Sequence, residues 1–160
     1  MNRLFAISAL CLALTAPAFA DGKIYVQLPD LSGFGGAEAG TFLSEVVLAN
    51  VISSNCPDFA VTEEEWSLLT DSADILAREQ LRLSVEVYDN QYYGPAFAAL
   101  DAADACAVHG PAVQPIVDRL VELGGSREAL PDQDAAYQAD QDRQASWDAL
   151  AEQPRKTKKK

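Results

Sequence analysis

Apolar residues recur along the chain at three- and four-residue spacings in several separate blocks, which predicts helices rather than strands. Phe42, Leu43, Val46, Val47, Ala49 and Ile52 form the first block; Thr41 precedes it as a cap and Cys56-Pro57 closes it. Thr62 followed by Glu63, Glu64 and Glu65 fits a capping box, and the acidic first turn suits the positive end of a helix dipole. Behind it Trp66, Leu69, Ala73, Leu76, Leu83 and Val87 follow the same repeat, broken only at Gln80, and predict the longest helix, from about Glu63 to about Asp89. Pro95 suits the first position of a third helix, whose inward residues would be Phe97, Leu100, Ala103 and Val108 and whose end is Gly110-Pro111. A fourth, from about Ala112 to Leu123, turns Val113, Ile116, Val117, Leu120 and Val121 inward and stops at Gly124-Gly125.

The rest of the pattern is weaker. Lys23 to Leu28 alternates well enough for a short strand or an extended arm until Pro29 stops it, and the four glycines of Ser32 to Gly40 read as a loop. Beyond Gly125 only Tyr137, Trp147 and Leu150 can anchor a polar helix. The predicted fold is therefore all-α: a small disulfide-stapled bundle of about four helices with an N-terminal strand or extended arm. Its divisions are 21–40 for the arm and Gly-rich loop, 41–125 for the helical core and 126–153 for an acidic peripheral helix. A basic disordered tail follows at 154–160.

Residues 1–20 change the setting. Asn2 and Arg3 precede an apolar run, and "AFA" ending at Ala20 is a signal-peptidase context, so a cleaved leader and a periplasmic or secreted chain are expected. No later segment is apolar over the ~20 residues a membrane span needs. Residues 21–153 carry 24 acidic and 6 basic side chains, a balance of −18, against +5 in the last seven residues. So negative a body repels nucleic-acid phosphates and anionic membrane. Cleavage also removes Cys11, leaving Cys56 and Cys106, an even pair in an oxidising compartment and hence an expected disulfide.

The candidate chemistry is thin. Cys106 and His109 lie one helical turn apart, but their neighbours Asp101 and Asp104 raise a thiol pKa, and no third orienting group is evident. One histidine and two cysteines fall short of a metal site. Ser32 to Gly40 fails as a dinucleotide loop because Glu38 stands where a small residue is needed. Asp132/Asp134 and Asp140/Asp142 lack the glycine and closing glutamate of a calcium loop, and Glu63 to Glu65 already have a capping role. The expectation is a non-enzyme without cofactor or metal. Tyr88, Tyr92 and Tyr93 are the candidate partner-binding group, either lids over the core or anchors for an unknown protein partner.

"CPDF" at Cys56 to Phe59, a second cysteine at Cys106, the helical pattern, the leader and the lysine-rich end together resemble HdeA-type periplasmic acid-stress chaperones. The layout also resembles small exported helical proteins of Gram-negative bacteria. The first resemblance implies a holdase that loses structure in acid and then binds unfolding clients. Protonating 24 carboxylates would leave residues 21–160 net positive. Two functions thus stand: an exported interaction or accessory protein, and an acid-activated chaperone.

Overall fold

A computed structural model describes residues 22–151; the predicted leader at 1–20 and basic tail at 154–160 lie outside the described residues. The described chain is an all-α bundle built around α1 (Gly36–Asn55), which buries Phe42, Leu43, Val46, Val47, Val51 and Ile52. A helix apolar on nearly every side belongs at the centre. α1 starts five residues before the expected Thr41, so half of the predicted glycine loop is helix. Ala37, Glu38 and Ala39 are compatible with a first turn, Ala39 is fully buried, and Glu38 faces the positive helix end. Thr41 does not cap; its hydroxyl donates back to the Ala37 carbonyl at 3.1 Å.

The capping box forms as expected. The Glu65 N–H donates to Thr62 Oγ1 and the Thr62 N–H to Glu65 Oε2, both at 3.2 Å, opening α2 (Glu63–Ile75). The predicted long helix is interrupted, however. α2 runs into a π turn at Leu76–Gln80, and the chain then opens at 81–84, where Arg82 takes a φ of 52°. Ser84 starts a new helix, its Oγ accepting from the Val87 N–H at 3.3 Å. That helix comprises α3 (Val85–Tyr88), a second π turn (Asp89–Tyr93) and α4 (Gly94–Ala99). Pro95 is thus inside a continuous helix rather than at its start. The wider π turn relieves the clash its ring would make with an α-helical i−4 carbonyl.

The predicted third helix ends at Ala99. After a turn at 100–104 the chain resumes as α5 (Ala105–His109), and Phe97, Ala103 and Val108, expected inside, are exposed. No large apolar side chain lies between Leu100 and Val108 to hold a straight continuation against α1. Instead Cys106 bonds to Cys56, joining α5 to the end of α1. Gly110 follows against the Phe59 ring, where a Cβ would collide with ring carbons.

α6 (Val113–Glu122) buries Val113, Val117 and Leu120, while Ile116 and Val121 are half-buried. The glycine stop is a Schellman turn: Gly124 has a φ of 100°, its N–H donates to the Val121 carbonyl at 2.9 Å, and Gly125 N–H donates to Leu120 at 3.0 Å. The N-terminal segment is an extended arm, with one isolated antiparallel bridge between Val26 and Ala129. Asp30 N–H donates to Leu123, Ser126 N–H to Gln27 and Leu130 N–H to Tyr25, at 2.8–2.9 Å, so the arm lies along 123–130. α7 (Gln133–Ala151) begins seven residues later than the predicted 126 and buries Trp147 but leaves Tyr137 and Leu150 exposed. Trp66 is also exposed; its neighbours Leu68 and Leu69 carry the buried face of α2.

Candidate interaction surface

The disulfide removes the thiol on which Cys106 and His109 would have depended. Asp132 accepts from the Ala135 N–H at 2.9 Å at the start of α7, which accounts for one residue of the calcium-like pairs. Glu65, the buried member of the acidic run, accepts from Arg127 Nε at 2.8 Å in addition to its capping bond. Among the described residues, no group of three or more His, Cys, Asp or Glu could hold a metal ion, and no helix is long and apolar enough to cross a membrane.

The three tyrosines come together, but not as three exposed anchors. Tyr88 is buried, and Tyr92 and Tyr93 are half-buried. Tyr88 packs edge-on to Tyr92 at 6.3 Å and tilted against Tyr93 at 5.2 Å, and Tyr93 stacks on Phe97 at 6.2 Å. Phe97 itself is 53% exposed. The π turn accounts for this arrangement. At about 3.6 residues per turn, residues eight apart drift ~80° around an α-helix; the wider π turn between them largely cancels that drift. Tyr88, Tyr92 and Ala96 therefore share an inner row, and Val85, Asp89, Tyr93 and Phe97 an outer one. Val85 and Phe97 are the residues that sequence reasoning missed, because periodicity does not mark where a π turn shifts the phase.

Under the inner row lies a layer of charge. Burial pushes the Asp74 carboxyl up, with Arg78 pulling the other way. Burial likewise pushes the Tyr88 and Tyr93 hydroxyls up, and the nearby Asp74 carboxylate adds to both shifts, so the phenols stay neutral. Asp71 is buried and accepts from Lys23 Nζ at 2.8 Å, yet its desolvation outweighs that partner and its carboxyl too is pushed up. Lys23 also reaches Asp140 at 3.5 Å, and Asp140 pairs with Arg143. Arg78 and Arg143 stand over the Trp147 ring at 5.7 and 5.5 Å, while its indole N–H donates to Glu79 at 3.0 Å. This layer joins the arm, α2 and α7. Its sequence signals were the one-turn spacings Asp74/Arg78 and Asp140/Arg143. Elsewhere, Trp66 lines a groove of about 420 Å³ with Lys23 and Ser67.

On the outer row the Tyr93 and Phe97 rings are stacked, and Phe97 is more than half exposed. Comparison with known proteins finds no matching family model, no matching curated protein and no matching solved structure.

Proposed function

We propose that this chain is a non-enzymatic exported accessory protein that docks a protein partner on the outer row of α3 and α4. The observation that carries the reading is Phe97, which stacks on Tyr93 while more than half of its surface stands in solvent. A large exposed ring that already stacks on a neighbour has less conformational entropy to lose when a partner covers it, which favours a binding anchor. Tyr88 serves this reading as the buried support of Tyr93 rather than as a contact. The apolar leader and the Cys56–Cys106 pair support a periplasmic or secreted location.

A photo-crosslinking residue placed at Phe97 in the native host tests this directly. One discrete protein adduct at 97, absent from the same residue at Leu150 and recovered with the extracytoplasmic fraction, is the expected result. Equal labelling at both positions, or none, overturns the reading.

The acid-activated holdase is the second reading, and Asp140 is what favours it. That carboxylate pairs with Lys23 of the arm and, within α7, with Arg143, so the contact between arm and α7 runs through charge. Suppression of client aggregation at about pH 2 to 3 but not at neutral pH supports the holdase; no suppression at either rejects it.

A further inference from the structure

We infer that the outer row of α3 and α4 takes a cationic amphipathic segment of its protein partner; this rests on the docking reading above. Two features of the surface point the same way. The apolar centre is Val85, Tyr93 and Phe97, of which Val85 and Phe97 are 56% and 53% exposed. Exposed acids accompany it along the chain: Glu86 next to Val85, Asp89 within the row one turn before Tyr93, and Asp101 and Asp104 in the turn that follows α4. From Leu83 to Val117 the chain contains no lysine or arginine. The nearest arginines before it in sequence are Arg82, three residues ahead of Val85, and Arg78, which is engaged with Trp147.

Exposed apolar rings on so acidic a stretch complement a helix or extended segment that carries apolar residues on one side and lysine or arginine along its borders. The ring faces add to this, since a cation over an aromatic face gains electrostatically while its alkyl stem covers apolar surface. A second copy of the same face would bring carboxylates against carboxylates, and an anionic lipid or nucleic acid would meet the same repulsion. The chemistry therefore selects a basic partner segment.

The probe is a labelled peptide of roughly 15 residues, Leu and Lys at helical spacing, titrated into the full mature chain at low salt. Two counterparts carry Glu for Lys and Ser for Leu. The Leu/Lys peptide is expected to bind with a Kd of order 10 µM, to lose about tenfold with Phe97→Ala, and to weaken several-fold with Asp89→Asn plus Asp101→Asn. Asp142→Asn, an exposed acid on α7, should leave binding unchanged. Circular dichroism checks that each variant is folded. Equal binding of the Ser-for-Leu peptide, or insensitivity to Phe97→Ala, would reduce the effect to diffuse attraction and overturn the inference. A discrete crosslinked partner whose contacting segment is acidic or uncharged would overturn this inference alone. Peptide binding without any crosslinked partner would instead overturn the docking reading.

Discussion

Asp74 is a residue whose ionisation the fold opposes: burial pushes its pKa up, and Arg78, Lys23 and Tyr88, which pull it down, do not offset that. Asp71 behaves alike despite Lys23. For both, the folded pKa lies above the unfolded one, so the folded state holds protons more tightly. Their contribution to stability is full below the ordinary aspartate value and is lost as pH rises through the raised folded value. Mild acidification through that window should therefore strengthen the fold, which runs against collapse at the first drop in pH. Asp74→Asn keeps the shape of the side chain while removing the charge. It is expected to raise stability at pH 7 by on the order of 1 kcal/mol and to flatten the gain on moving from neutral to mildly acidic buffer. Urea midpoints of the two proteins at both pH values would show this; a less stable variant at pH 7 would contradict it.

Among the elements, α7 is held differently from the rest. α1, α2 and α6 share an apolar core, whereas α7 buries only Asp140 and Trp147 and reaches the bundle largely through charge and the indole. Trp147→Ala would remove the bond to Glu79 and both arginine stacks, a loss of about 3 kcal/mol for that helix. The expected outcome is local release: faster amide exchange over 133–151 with protection in α1 and α6 retained. Uniform loss across the chain would mean that α7 is part of the cooperative core. The legibility of the sequence divides along the same line. Thr62 with Glu65, and Gly124 with Gly125, were readable because a side-chain cap and a left-handed glycine are local requirements met within a few residues. The inward set Val113, Val117 and Leu120 was readable because α6 is regular. Phe97 and the break after Gln80 were not. Two π turns shift which residues face inward without altering composition, so Tyr88, Tyr92 and Ala96 turn inward where spacing predicts Val87 in the second helix and Phe97 in the third. The Lys23–Asp71–Asp140 contacts escaped for another reason, since they join positions as much as 117 residues apart.

At the scale of the molecule, the disulfide closes a loop across 50 positions from the end of α1 to α5. A closure of that length is worth about 4 kcal/mol on chain-entropy grounds. Replacing Cys56 and Cys106 by alanine should cost about 2 to 5 kcal/mol, read as a lower urea midpoint that reductant no longer changes. Retention of the full midpoint would show that packing around α1 suffices. The arm carries a different implication. Its contacts at Tyr25 and Gln133 are 108 residues apart, and a ribosome delivers the arm well before those partners. At about 5 to 20 residues per second the arm waits roughly 5 to 20 s for the segment that completes it. Tyr25 to Asp30 is therefore early in synthesis and late in ordering, its backbone groups open to other hands for as long as the chain is still being made.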